Sequence, residues 1–521
     1  MLKFNKSILL AASLALAATS ATAAPASAHS GPAEWTYWTA PSLAPNAPSH
    51  LAGCTTEVAK VHPNGDEEEF YLHRTPSSSA CVPSSLNAQT RLLSGREEVV
   101  LFKPEALVLS KPADPYAMSW MDRALQTLMV SSFSRLPDEF DDDDSGQISF
   151  DISTFDRHAP RLLTATNYTL LLTLTPESLS TIDERATGDT RIQRLVFHPL
   201  SSVYQAASDK PKPEPKFKKP KYNSVVAKIA SSSALNPARI LQDLRILTGE
   251  AAQPKDVGEW HSRHSATHGA RLAGKWVQQQ LEHSLAPFNG SWCEQWEYSP
   301  YFAPNIVCHI PSSHSATEQS DEGTVIVSAH YDSRGTFGST TAPGGDDDAS
   351  GTSALLAIAR TLGSSQVALK SPVQLIAFSG EEQGLVGSSH YAKHLADTSA
   401  SVKLALQMDM LAYRVPGEPM QLAFPDKLAT VSATAHVAAV ADIYAPELEQ
   451  GYTPACCSDH QSFWENAFPA TWVFERNGPI ADPMYHNSGD VTNRTGYDVD
   501  QLAAIAKVVT ATLLDVAGFH F

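Results

Sequence analysis

Between Asn223 and Phe521, short β-branched runs alternate with longer stretches of helical spacing, and few folds accept that order. "GTVIVSAHYD", "SPVQLIAFSGEE", "VKLALQMDM" and "ATWVFER" read as strands. "ATHGARLAGKWVQQQLEHSL", "GTSALLAIARTLGSS", "GSSHYAKHLADT" and "DQLAAIAKVVTATLLDVAG" carry the helical period. Alternation of this kind predicts an α/β sheet with helices on both faces. No repeat of 20 to 50 residues is visible, which argues against a solenoid.

Upstream the pattern differs. "MLKFNKSILLAASLALAATSATAAPASAHS" has two early lysines, an apolar run from Ile8 to Ala18 and small residues beyond, so residues 1–23 read as a secretory signal, with cleavage after Ala28 as the alternative. The apolar run is too short for a permanent membrane anchor. Residues 24–208 carry alternating segments such as "EEVVLFKPEALVLS" and "NYTLLLTLTPESL", which predict strands in a propeptide or accessory domain. The acidic tract around Asp141 to Asp144 lacks the staggered spacing of a calcium loop and reads as solvated. "DKPKPEPKFKKPKYN" follows; residues 209–222 form a linker, and residues 223–521 the second domain. Its six lysines make the linker a site for nicking, and with it the upstream region a folding aid or latency domain.

In an exported chain six cysteines are expected to pair. Position suggests Cys54 with Cys81 and Cys293 with Cys308. Cys456 and Cys457 are adjacent, so a strained vicinal ring, two thiols and a metal role all stay open. The net charge of -18 argues against nucleic acid or an anionic membrane as partner and fits a neutral or cationic substrate.

Ligands of open α/β sheets gather at the carboxyl ends of strands. Here the predicted strands end in His330 and Asp332, in Glu381 and Glu382, and in Asp409, while the polar loop "DPMYHNSGD" offers His486. "GGDDDASG" crowds three aspartates before a helix, which is unfavourable without a cation or several hydrogen-bond donors. Two imidazoles with three or more carboxylates suit zinc, manganese or cobalt. One ion would be over-supplied; two ions sharing a carboxylate, with a water between them as nucleophile, account for the number.

Six segments in order, "HYDS", "PGGDDDASG", "GEEQGLVGS", "QMDM", "CSDHQSFW" and "HNSGD", resemble the secreted bacterial leucyl aminopeptidases, di-zinc enzymes of metallopeptidase clan MH, peptidase family twenty-eight. The resemblance implies a mixed, mainly parallel twisted sheet between helices that hydrolyses N-terminal residues from peptides. It also implies Asp347 as the bridging ligand, with His330 and Asp409 completing one zinc site and Glu382 and His486 the other. Glu381 would be the general base and Asp332 the carboxylate that orients His330. A cis peptide is implied between Asp347 and Asp348. An apolar pocket for the first side chain is implied, with Met410, Phe463, Trp464, Phe474 and Tyr485 as lining candidates. The expected partners are peptide or protein N-termini, met by a monomer carrying two zinc ions.

Thr453 and Ala455 stand where that family has a cysteine and a tyrosine, and Tyr452 is the candidate replacement for the latter. Rival readings are a glutaminyl cyclase of similar fold, a carboxypeptidase using Arg334 or Arg476 to hold a substrate carboxylate, and a non-catalytic binding module.

Overall fold

The computed structural model describes residues 214–521 except 314–322, 337–338, 366 and 456, together with 35–40, 57–61, 70–76, 93–95, 98–104, 120, 124 and 160–199 except 166–168, 187–189 and 196. The expected signal segment, Cys54, Cys81, the acidic tract, the first part of the linker and Cys456 lie outside the described residues.

The N-terminal region builds two antiparallel sheets. Its strands are β1 (Trp35–Ala40), β2 (Glu57–Val61), β3 (Phe70–Pro76), β4 (Leu93–Gly95), β5 (Glu98–Pro104), β6 (Arg161–Ala165), β7 (Leu170–Leu174), β8 (Thr190–Arg194) and β9 (His198–Pro199). The sheet orders are β4-β1-β3-β2-β9 and β6-β7-β5-β8. Alternation along β5 and β7 separates two apolar sets: Val99, Leu101 and Leu171 pack with Tyr37 and Leu72, while Val100, Phe102 and Leu170 pack with Phe302 and Val386 from beyond the linker. The two regions therefore share a core.

The downstream sheet contains β10 (Trp292–Trp296), β11 (Asn305–Ile310), β12 (Thr324–His330), β13 (Val373–Phe378), β14 (Val402–Met408) and β15 (Ala470–Val473). Its spatial order is β10-β11-β13-β12-β14-β15, antiparallel at the β10 edge and parallel from β13 onward. The mixed, mainly parallel α/β fold is thus as expected. Cys293 faces Cys308 across β10 and β11, and the two form a disulfide. Cys457 is also disulfide-bonded, with neither of these as partner.

Helices cover both faces. They are α1 (Pro237–Leu247), α2 (His268–Leu285), α3 (Ala349–Ser365), α4 (Val386–Asp397), α5 (Val431–Tyr444), α6 (His460–Glu465) and α7 (Val499–Ala517). The Thr267 hydroxyl accepts from the Ala270 amide at the start of α2, and Asp498 accepts from the amides of Asp500 and Gln501 at the start of α7. Helix α3 is almost wholly buried. Its crossing with α2 requires Gly363, where a Cβ would meet the Ser284 carbonyl. The described linker residues are pinned to α5: Phe217 stacks on His436, and the Asn223 amide donates to the Tyr444 hydroxyl at 3.0 Å.

A buried ion pair also joins the two regions. Nε2 of His264 lies 3.0 Å from an Asp183 carboxylate oxygen. Burial opposes the His264 cation, but Asp183, then Glu184 and Asp332, raise its pKa from 6.5 to about 9. Burial likewise opposes the Asp183 charge, yet His264 and Arg334 hold that carboxyl below its usual value. The raised His264 contributes stability that is fully present below its unfolded value and lost as pH rises through about 9. His264→Gln is accordingly expected to melt a few degrees below the parent near pH 6, with the gap closing above pH 9. Melting curves across that range check this; a gap independent of pH would show that the cation contributes nothing.

Candidate metal centre

Parallel pairing decides which residues meet. His330 ends β12 in register with Phe378 at the end of β13, so Glu381 and Glu382 follow on the same edge of the sheet. Asp409 directly follows β14, and Asp347 lies two residues before α3. His486 is delivered by the loop after β15 and holds a left-handed φ of 52°. Met410, next to Asp409, also has φ 52°. Such conformations in non-glycine residues persist where surrounding structure enforces them.

Two ligand clusters result, His330 with Asp347 and Asp409, and Asp347 with Glu382 and His486, the candidate donor atoms of each lying within 4.8 Å of one another. His330 Nε2 is 3.2 Å from Asp347 Oδ1 and 3.6 Å from Asp409 Oδ2. His486 Nε2 is 3.5 Å from Asp347 Oδ2 and 3.1 Å from Glu382 Oε2. Asp347 belongs to both clusters and presents one oxygen to each.

The donors fit a metal. His330 is fully buried, four carboxylates surround it within 4.0 Å, and neither ring nitrogen makes a hydrogen bond. Glu382 Oε1 is buried and equally unpartnered. Burying polar atoms without partners costs about 1–3 kcal/mol each, so a cation is the natural complement. Burial pushes the carboxyls of Glu381 and Glu382 well above the carboxylate range, with Asp409 adding to the effect on the first and Asp347 on the second. Imidazole nitrogen with carboxylate oxygen is a zinc-type set.

Around this centre the other acids have structural tasks. Asp348 accepts from the amides of His330, Gly351 and Met410 at 3.1, 2.8 and 3.2 Å, tying β12, α3 and the end of β14 together. Asp346 accepts from the Ala412 amide at 2.8 Å. The peptide between Asp347 and Asp348 is cis, as the resemblance implies. Asp332 lies 3.5 Å from His330 Nδ1 and accepts from the amides of Glu381 and Glu382, so it sets the imidazole and the glutamate turn together.

Sequence reasoning missed two supports. Arg263 is fully buried and donates to the carbonyls of Tyr331, Leu247, Pro343 and Gly344, which shapes the loop that presents Asp347. Burial lowers its pKa to about 10, which leaves it charged among Asp490, Asp348, Asp332 and Asp347. Asp490, fixed by Arg494 at 2.9 Å, accepts from the amides of Asp346 and Asp347. Neither has a local signal, because Arg263 reaches up to 81 residues along the chain and Asp490 reaches 144.

The cavity over the centre is bordered by Asp347, Glu381, Glu382, Asp409 and His486, with an apolar wall of Met410, Ala455, Trp472 and Ile480 beside Tyr485. Phe463 is not there. It is fully buried against Phe378, because α6 turns it toward the sheet, and Trp464 packs on that same cluster. Phe474 stacks behind the wall on Trp472. Tyr452 is 64% exposed and does not border the cavity. Arg334 borders it but donates to the carbonyls of Ala186 and Thr190 at 2.9 and 3.2 Å, while Arg476 pairs with Glu418 elsewhere.

Fold and site together define an α/β protein with a candidate metal centre of carboxylates and histidines at the carboxyl edge of a mainly parallel sheet. Residues 305–513 match the model of peptidase family M28. "Leucine aminopeptidase 1" of Sclerotinia sclerotiorum is 27% identical over 257 residues, covering 46% of this chain and 64% of that protein. The chain thus spans slightly less than two thirds of that relative. A "Probable leucine aminopeptidase" of Arthroderma otae is 25% identical over 348 residues, covering 64% of this chain and 82% of that one. Among solved structures, the LapA aminopeptidase of Legionella pneumophila shares the fold with a TM-score of 0.55 at 17% identity, covering 81% of this chain and 98% of that one. That coverage exceeds residues 223–521, so the likeness of fold extends into the N-terminal region.

Proposed function

We propose that the protein is an exported, zinc-dependent aminopeptidase that removes large apolar residues, such as leucine, from the N-termini of peptides. One observation carries the reading: Asp347 belongs to both ligand clusters, while Glu381 borders the same cavity and belongs to neither. His330, Asp347 and Asp409, and Asp347, Glu382 and His486, would hold zinc, which when bound would lower the pKa of the attacking water and polarise the scissile carbonyl. Glu381 takes a proton from the water and passes it to the departing amine, so that peptide and water yield a free amino acid and a shortened peptide. Asp332 keeps the His330 ring oriented for its metal through its contact with Nδ1. The carboxylates attract the substrate's free ammonium group, and the wall of Met410, Ala455, Trp472 and Ile480 receives the first side chain. Export is supported by the charged and apolar N-terminal stretch and by the Cys293–Cys308 disulfide. Among the described residues no helix is long and apolar enough to cross a membrane. The enzyme is read as a monomer.

A panel of aminoacyl and amino-blocked substrates, assayed with metal analysis, tests the proposal. Cleavage is expected only with a free amino group, fastest with leucyl compounds, at about two zinc ions per chain. Turnover of amino-blocked substrates, or cyclisation of N-terminal glutamine in place of hydrolysis, would refute it.

A further inference from the structure

We propose that Arg191, carried on β8 of the N-terminal region, is a catalytic residue of this site and donates to the scissile carbonyl oxygen as negative charge develops on it. The inference rests on the aminopeptidase reading above. It makes the N-terminal region a lasting wall of the active site and not a segment to be discarded.

β8 brings Arg191 and Ile192 to the border of the metal cavity, beside Glu381, Asp409 and Trp472. Trp472 on that wall stacks against the His460 ring. Arg191 borders the cavity shared by the proposed base and both ligand clusters. When Glu381 takes the proton of the attacking water, the oxygen–carbon bond forms and the carbonyl π pair moves onto oxygen. Beyond the proposed metal, that oxygen gains from a protein donor, in a cavity whose charged lining is otherwise mostly carboxylate. Loop residues Ala455 and Cys457 bring no hydroxyl to the cavity, and the exposed Tyr452 does not border it. Arg334, the other arginine at the border, holds the N-terminal backbone through Ala186 and Thr190.

The placement of β8 is built, and it is built onto the catalytic turn. The Arg194 amide donates to the Gly384 carbonyl at 3.3 Å, two residues after Glu382. Gly384 has φ 105°, and a Cβ there would lie 2.6 Å from the Arg194 amide nitrogen, so only glycine admits this approach. With the buried Asp183–His264 pair and the core shared with Phe302 and Val386, detaching the region would strand buried charge and expose apolar surface.

The test uses the full chain carrying Arg191→Ala or Arg191→Gln, assayed on leucyl p-nitroanilide, which has no carboxylate, and on leucyl-glycine, which has one. For either variant kcat is expected to fall about a hundredfold on both substrates, with KM, zinc content and melting temperature little changed. The glutamine variant, of similar length, answers the question if the alanine variant fails to fold. An unchanged kcat would overturn the proposal. A loss confined to leucyl-glycine would show instead that Arg191 holds the substrate's terminal carboxylate, and a gain would show that β8 obstructs the site. A parent enzyme inactive on every aminoacyl compound would refute the aminopeptidase reading itself, and the variants could not produce that result.

Discussion

Glu381→Gln is expected to lower kcat at least about a thousandfold while zinc content and the affinity for a competitive inhibitor stay close to those of the parent. Glu381 and Glu382 are neighbours, yet the turn after β13 gives them different tasks. Glu382 approaches His486 Nε2 at 3.1 Å within the second ligand cluster, whereas Glu381 borders the cavity outside both clusters. Glutamine keeps the shape of the side chain and one hydrogen bond but cannot accept a proton, and in the proposed reaction the base acts twice in each turnover. Loss of a general base typically costs about 10² to 10⁴ in rate. Glu382→Gln should instead bind less zinc, because it weakens a ligand. Metal analysis of both variants decides the assignment: zinc lost from the first and retained by the second would exchange the two roles.

Asp347→Ala is expected to empty both ligand clusters and to abolish measurable hydrolysis. No other residue is common to the two clusters, and each Asp347 oxygen faces a different imidazole. The variant is expected to fold, since the backbone amide of residue 347 still donates to Asp490 and the flanking aspartates keep their amide partners. Zinc content and circular dichroism check this. Full zinc retention would mean that Asp347 is not a ligand. Asp332→Asn provides contrast, because it leaves every candidate ligand in place and alters the group behind His330 and the glutamate turn; it should cost about 10- to 100-fold in metal affinity or activity.

Most candidate ligands were legible because they stand where an apolar run gives way to a polar turn, while His486 was offered by a polar loop. His330, Glu382 and Asp409 end strands, and the order of elements implied that those strands run parallel with their ends together. The three aspartates were harder. All sit in one short stretch, but which of them faces the cavity depends on the local backbone, and the structure gives Asp346 and Asp348 to amides and Asp347 to the clusters. Phe463 misled because aromatic character near a motif says nothing about direction. A residue on α6 can face the cavity or the sheet, and Phe463 faces the sheet.

The sequence by itself determined the α/β class, the Cys293–Cys308 pair and the inventory of histidines and carboxylates. These follow from spacing within single elements, where the periods of strand and helix act over a few residues. Only the tertiary structure decided that Arg263 braces the aspartate loop, that Arg334 turns to the N-terminal backbone, and that Arg191 reaches the metal cavity from more than a hundred residues upstream. The reason is physical: a buried charge is placed by whatever partners surround it after folding, and those partners come from segments whose separation along the chain carries no trace of their meeting.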